Sequence, residues 1–298
     1  MAEAQRILSP FEKEKGRSAK RDLLVQPFLK WAGGKRQLLS QIRPLLPKKF
    51  NCYYEPFLGG SAVFLDQQPA KAVVNDYNSE LINCYKVIKD SPDELLEEVS
   101  KFENTSECFY QVREMDRNDD FILMSDIERA ARIIYLNKTC FNGLFRVNSQ
   151  GQFNVPFGNY KNPTIADPAV IRALSRYLNN EGVTFRNADF AMAVADAKKG
   201  DFVYFDPPYD PVSDTSSFTG YSLNGFNRRE QIRLRDLCDE LTARGVKVML
   251  SNSYTPFINE LYNAERYTCH TVQARRNINS VASGRGKIDE VLILNYES

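Results

Sequence analysis

Asp201-Phe202-Val203-Tyr204-Phe205-Asp206-Pro207-Pro208-Tyr209 is the stretch on which the fold turns. Asp201 to Phe205 reads as a buried hydrophobic strand. It stops at Pro207-Pro208, because neither proline can donate to a sheet ladder. The tetrad Asp206 to Tyr209 is therefore expected at a strand's C-terminal end, where open α/β sheets gather their chemistry.

Outward from it the same logic repeats. Asn51 to Glu55 predicts a short strand that runs into Pro56-Phe57-Leu58-Gly59-Gly60 and then a helix from Ser61 to Gln67. Ala72 to Val74 predicts a second buried strand ending at Asn75-Asp76. After the tetrad, Asn227 with Glu230 suggests a capping box, Leu234, Leu237, Cys238 and Leu241 form one helical stripe, and Gly245 ends it. Val246 to Leu250 and Val291 to Leu294 read as further strands. The two ends of the chain thus predict one α/β sheet, interrupted by a middle section of helices followed by an Asn-, Gly- and aromatic-rich segment from Asn137 to Asn162. A patternless excursion of that length is usually functional, and it reads as an inserted recognition lobe. The expected organisation is a variable leader over 1–25, a core domain of 26–78 plus 170–298, and a target-recognition domain over 79–169.

Composition narrows the classes of function. With 298 residues and 43% apolar content the chain can bury a real core. It has neither a signal-like apolar leader nor a membrane-length apolar run, so a cytoplasmic protein without a membrane partner is expected. Six cysteines stand singly and there is one histidine, His270, which argues against a zinc site and against histidine-based nucleophilic catalysis. Reduced, mostly buried thiols are expected. Net charge is only +1, but three stretches lack Asp and Glu altogether. These are Leu23 to Tyr54 (Lys30, Lys35, Arg36, Arg43, Lys48, Lys49), Arg129 to Lys161 (Arg129, Arg132, Lys138, Arg146, Lys161) and Arg266 to Ile288 (Arg266, Arg275, Arg276, Arg285, Lys287). Local basic surfaces suit a polyanion backbone, and they equally suit a solvated charged face.

Four motifs carry chemistry. In the tetrad, the Asp206 carboxylate and the Pro207 carbonyl can accept the two hydrogens of a base's exocyclic amino group. Its delocalised lone pair makes that nitrogen a poor nucleophile, and two acceptors favour a more tetrahedral form; Pro207 and Pro208 hold the carbonyl, and Tyr209 offers a face to an extruded base. In Glu55 to Gly60, glycines let the backbone approach a nucleoside, while Asp76 can take ribose hydroxyls. The fingerprints for NAD and for a phosphate-binding loop are both absent. In Phe28-Leu29-Lys30-Trp31-Ala32-Gly33-Gly34-Lys35, Trp31 and Lys35 can hold a cofactor bearing a sulfonium and a carboxylate. From Phe141 to Gly158, Arg146 suits bidentate guanine recognition, Asn142 and Asn148 suit base or phosphate hydrogen bonds, and Phe141 or Leu144 suits a wedge between base steps.

Together these blocks, with Ser251-Asn252, resemble the Dam-related adenine-N6 DNA methyltransferases from about Gln26 to the C-terminus, most closely those of the DpnII restriction-modification type, which modify GATC. The resemblance implies a Rossmann-like α/β methyltransferase sheet that uses S-adenosylmethionine and carries an inserted, mainly helical DNA-recognition lobe. It implies that Trp31, Lys35, Phe57, Gly59 and Asp76 contact the cofactor, that Asp189 and Phe190 hold its adenine, and that Asp206 lies between cofactor and target base. Lys30, Leu144, Arg146 and Pro156 would take part in reading double-stranded GATC, with Phe141 inserted into the stack. Transfer would be direct, after base flipping, without a metal. A monomer is expected, with a cognate restriction endonuclease acting on the same site. The family pattern Phe-x-Gly-x-Gly meets Ser61 in place of its last glycine, which matters if that position needs positive φ. Cytosine-N4 methylation, and a nucleic-acid-binding protein for RNA or DNA on the same scaffold, stay open as alternatives.

Overall fold

The structure, a computed structural model, describes residues 21–31, 33–180, 182–212, 226–275 and 287–297. Most of the expected leader, together with Arg276 and Arg285 of the third basic stretch, lies outside the described residues.

The strands are β1 (Tyr53–Glu55), β2 (Ala72–Asn75), β3 (Val183–Arg186), β4 (Phe202–Phe205), β5 (Lys247–Ser253), β6 (Thr268–Arg275) and β7 (Lys287–Leu294). They form one seven-stranded sheet in the order β3-β2-β1-β4-β5-β7-β6. Strands β1 to β5 pair in parallel, and β7 runs antiparallel between β5 and β6. Chain order reverses between β1 and β4, which places the ligand crevice of this sheet at their carboxyl ends. Tyr53 pairs with Phe202 and Tyr54 with Val203, so Glu55 comes level with Tyr204, two residues before Asp206, at that crevice.

Every residue of β1, β2 and β4 is buried, which is why they read as apolar runs rather than alternating ones. Their side chains still alternate between two cores. Tyr53, Phe202, Tyr204 and Met249 join one apolar cluster, while Tyr54, Val203, Phe205, Val248 and Leu250 join the other.

The α-helices among the described residues are α1 (Leu39–Ile42), α2 (Ala62–Gln67), α3 (Ser79–Asp90), α4 (Pro92–Ser100), α5 (Ser106–Glu114), α6 (Asp126–Thr139), α7 (Pro168–Leu178), α8 (Phe190–Ala193), α9 (Arg228–Ala243) and α10 (Pro256–Leu261). α3 and α7 cover the first cluster, and α9 and α10 the second. Helices α3, α4 and the start of α6 share the sheet's own core. A third cluster of Phe109, Val112, Tyr135, Leu136, Cys140, Phe153 and Val155 stands apart from it and underlies the Asn- and Gly-rich segment. The leader's end is tied down, with Val25 in the first cluster and Asp22 accepting and donating through Gln68.

Two sequence expectations need correction. Asn227 caps α9 by accepting from the amides of Arg229 and Glu230, but Glu230 turns to Arg233 instead of closing a capping box. The reciprocal box belongs to Ser125 and Glu128 at the start of α6. The basic stretches are also less free than their composition suggests. Arg43 pairs with Asp66, Arg129 with Glu80, and Arg132, only 2% exposed, with Asp116. The cysteines are all free; Cys84, Cys140 and Cys238 are buried, while Cys269 is exposed.

Arg132 is the polar hub of the third cluster, bonding the carbonyls of Val112 and Arg113 at 2.9 Å and the Asp116 carboxylate at 2.7 Å. Removing one partner of a buried pair leaves the other charge uncompensated. Arg132→Met should therefore lower the unfolding free energy in urea by about 3–5 kcal/mol. A loss below about 1 kcal/mol, typical of a surface pair, would show that Asp116 is already solvated.

Candidate active site

The loop after β1 is built tightly. Gly59 takes a left-handed backbone with φ of 46°. A side chain there would come within 3.0 Å of the Trp31 ring. Its N–H donates to Asp76 Oδ2 at 2.9 Å, and Asn78 N–H donates to Oδ1 at 2.9 Å. The Asp76 carboxylate at the end of β2 is thus aimed at the turn by two backbone donors, and burial pushes its pKa up against them. Ser61 has φ of 53°, so the position does require a left-handed residue. Its hydroxyl lies 2.7 Å from the Tyr85 hydroxyl, which also reaches the Gly59 carbonyl at 3.1 Å.

At the end of β4, Lys35 Nζ lies 2.9 Å from Asp206 Oδ1 although the lysine is only 4% exposed. It also donates to the Gly33 carbonyl at 2.7 Å and sits 4.7 Å from the Tyr209 ring centroid. Tyr209 in turn donates its O–H to Glu290 Oε2 on β7 at 2.8 Å. Burial raises the Asp206 pKa above its ordinary 3.8, and Lys35 opposes that shift. Beside the pair, Glu55 is 2% exposed and accepts from the Tyr53 hydroxyl at 2.5 Å. Burial holds its carboxyl well above the usual carboxylate range, and the Asp206 charge adds to that.

An aromatic wall stands alongside. Phe57 meets Phe190 at 5.4 Å, Phe226 at 5.5 Å and Phe205 at 6.3 Å. Asp189 caps α8 and pairs with Arg233, whose guanidinium lies 4.3 Å over the Phe190 ring. The fold thus brings Lys35, Phe57, Gly59, Asp76, Asp189, Phe190 and Asp206 to the carboxyl edge of β1, β2 and β4. Trp31 stands at the margin, covering Gly59 and Gly60 on one side and stacking on Phe145 at 5.2 Å on the other.

The expected nucleic-acid residues form a separate neighbourhood over the third cluster. Short bridges Cys140–Phe157 and Val147–Phe153 fold the segment back on itself. Phe141 N–H donates to the Pro156 carbonyl at 2.8 Å while its ring is 51% exposed. Asn142 N–H donates to the Tyr160 hydroxyl at 3.1 Å. Arg146 is braced by Asn154, donating from Nε to Oδ1 at 2.7 Å and from a terminal nitrogen to the carbonyl at 3.2 Å. Leu144 packs partly against the third cluster. Asn148 spends its side chain within the hairpin, accepting from Gln150 and Gln152 N–H and donating to Gln152 Oε1. Lys30 is held through its backbone by the buried Asn137, and its stem lies so close to Gly143 that a Cβ there would come within 2.4 Å.

A family model for D12 class N6 adenine-specific DNA methyltransferases matches residues 31–278. The chain belongs to that class. The D12 enzyme is 49% identical over 279 residues to a Type II methyltransferase, M1.LlaDCHI, of Lactococcus lactis subsp. cremoris, covering 93% of this chain and 98% of the relative. It is 43% identical over 292 residues to the Type II methyltransferase M.MjaIII of Methanocaldococcus jannaschii, covering 91% and 99%. It is also 37% identical over 272 residues to the DNA adenine methylase of Escherichia coli strain K12, covering 90% and 94%. Family membership makes this an adenine-N6 DNA methyltransferase with S-adenosylmethionine as methyl donor.

For this D12 enzyme several residues of the site were not legible as such. Glu290 and Asn75 escaped because their partners lie far away in the chain: Asn75 Nδ2 donates to Pro56 and Ala188 carbonyls, and its Oδ1 accepts from Ala188 N–H. Among the described residues no group of three or more His, Cys, Asp or Glu is placed to hold a metal, and no helix is long and apolar enough to cross a membrane.

A folded-state pKa raised above the unfolded one means that Glu55 supports folding most below its ordinary 4.5, and that this support is lost as pH rises through the folded value. Glu55→Gln, which stays neutral, should remove that loss. Melting temperatures measured from acid to neutral pH should fall less steeply in the variant than in the wild type. Parallel curves would place the Glu55 titration in the usual carboxylate range.

Proposed function

We propose that this enzyme methylates adenine N6 within double-stranded GATC, on a base turned out of the duplex, using the Asp206–Tyr209 turn. The observation that carries the reading is the pairing of the buried Lys35 with the half-buried Asp206 at the switch point of the sheet. It sets a carboxylate beside a proline-stiffened carbonyl where the sheet gathers ligands. Asp206 and the Pro207 carbonyl would accept the two amino hydrogens and leave the nitrogen lone pair facing outward, and Tyr209 would stack on the flipped base. S-adenosylmethionine, when bound, supplies an electrophilic methyl group on its sulfonium. The adenine nitrogen would take that methyl group as the carbon–sulfur bond gives its electron pair to sulfur, and Asp206 would be the acceptor for the proton the nitrogen then loses.

The donor set fits that cofactor. Asp76 keeps lone pairs beyond its two backbone donors for ribose hydroxyls, the wall of Phe57 and Phe190 suits an adenine ring with Asp189 beside it, and Trp31, Lys35 and Gly59 close the remaining sides. Lys30, Phe141, Asn142, Leu144, Arg146, Asn148 and Pro156 would face the duplex. Residues 79–169 would be the target-recognition domain, with base reading confined to the part over the third cluster. Arg146 supports a guanine contact in particular, since Asn154 orients it through Nε and one terminal nitrogen while the other terminal nitrogen has no partner among the described residues. A DNA substrate supports a cytoplasmic location. The Type II names of two relatives support pairing with a restriction endonuclease on the same site, and a monomer suffices for the chemistry described.

Two measurements test this. With labelled S-adenosylmethionine and duplexes differing only at a central GATC, N6-methyladenine should appear from GATC duplexes alone and vanish in Asp206→Ala, which should still bind DNA. Label in cytosine, or full activity of the variant, would sink the mechanism, and label from every duplex would sink the site. Arg146→Ala should cost about 1–3 kcal/mol of discrimination at one guanine. Equal weakening on all sequences would mean that Arg146 touches phosphate instead.

A further inference from the structure

The pair Ser251-Asn252 lies just before the end of β5, one strand from the Asp206 turn, and Asn252 is fully buried. Buried amides require partners. Asn252 Oδ1 accepts from the N–H of Asp210 at 3.1 Å and of Ser253 at 2.9 Å, while Nδ2 donates to Gln231 Oε1 at 3.0 Å. Gln231, on α9 and 1% exposed, passes its own Nε2 to the Pro208 carbonyl at 2.8 Å. Ser253 Oγ closes the set on the Asp210 carbonyl at 2.5 Å.

The consequence follows from which torsions proline leaves open. The rings fix φ of Pro207 and Pro208 near −65°. Asp206 and Pro207 each precede a proline and are therefore restricted to extended ψ. The first soft joint of the turn is ψ of Pro208, and this is the peptide whose carbonyl Gln231 holds. The next amide but one, Asp210 N–H, is held by Asn252. Among the described residues no protein donor reaches the Pro207 carbonyl, so the acceptor assigned to the base stays free while its neighbours are pinned.

We propose that Gln231 and Asn252 are positioning residues for methyl transfer, locking the one joint that Pro207 and Pro208 leave loose and so fixing the direction of the Pro207 carbonyl and the Tyr209 ring. The proposal rests on the assignment of Asp206–Tyr209 as the catalytic turn. Neither residue touches base or cofactor; both act through the turn's backbone.

Gln231→Met keeps volume and loses both bonds. Asn252→Asp keeps the acceptor for Asp210 but sets a second oxygen against Gln231, whose amide must then turn its donor away from Pro208. In the full-length enzyme, with saturating cofactor and GATC duplex, each variant should lower the single-turnover methylation rate roughly 10- to 100-fold, the scale of an ångström's misplacement. Cofactor affinity, read from the fluorescence of the single tryptophan Trp31, and duplex affinity should stay at wild-type levels. Tyr177→Phe, which loses a buried bond to the Pro69 carbonyl, serves as the stability reference: a lower melting temperature at an unchanged rate. Wild-type rates in both variants, with Asp206→Ala inactive, would overturn the positioning role alone. An active Asp206→Ala would instead overturn the catalytic assignment beneath it. Failure of both variants to fold, or rates that fall only together with affinity, would overturn the proposal in favour of a purely structural network.

Discussion

A buried ammonium tolerates few arrangements, and the one around Lys35 organises this molecule. Removing an ion from water costs several kcal/mol even after relaxation. Lys35 offsets that with a carboxylate, a carbonyl and an aromatic face. Those three partners come from the loop before β1 and the turn after β4, so satisfying one charge joins the first loop of the sheet to its central strand. The same charge restrains Asp206, which burial pushes toward the neutral form and Lys35 pulls back toward the charged one. Glu55, one strand away and fully buried, is pushed well up by burial despite the Tyr53 hydroxyl and the Lys35 charge. Burial thus raises both acids at the ends of these neighbouring strands, Glu55 further than Asp206, through what surrounds each.

The loop that carries Lys35 also joins the sheet to the segment over the third cluster. Trp31 is shared between the glycines after β1 and Phe145, and Lys30 lies on Gly143 with its backbone bonded both ways to Asn137. Gly143 has φ of 62° and no room for a Cβ. Three consecutive constraints therefore run from the turn that would cradle a cofactor to the segment that would read a base, within contact distance at each step. Such contiguity is a physical route for one site to feel the other, although coupling itself is a free energy that must be measured.

The central strands were legible because burial on both faces leaves an apolar run that prolines or glycines punctuate. That held for β1, β2, β4, β5 and the end of β7, within a residue or three of their bounds. β3 and β6 were not legible: Val183–Arg186 has one buried residue of four, and Thr268–Arg275 is an edge strand of mixed polarity. Charge was legible as composition and illegible as pairing. Arg43, Arg129 and Arg132 meet Asp66, Glu80 and Asp116, acids that lie outside the basic stretches and that only the fold brings near. Gln231 was invisible for the same reason, and Asn252 stood out only through the family resemblance, since their partners on the Pro208–Asp210 turn lie more than twenty residues away from either.

Ser61 shows how a departure from a family pattern can be absorbed. A left-handed residue with a Cβ costs about 1–2 kcal/mol over glycine. A buried hydroxyl hydrogen bond returns about 0.5–1.5 kcal/mol, and Ser61 makes one with Tyr85 at 2.7 Å in a fully packed setting. The two terms are of the same size and opposite sign, so the serine is close to neutral for folding. It is not neutral for geometry. Tyr85 is anchored on α3 and also reaches the Gly59 carbonyl, so the hydroxyl pair ties the turn after β1 to the helix behind it. Glycine would give the turn its backbone at less strain but leave that tie with one strand of bonding instead of two. At this position the chain exchanges backbone ease for a fixed turn, at the point where Gly59 must present its amide to Asp76.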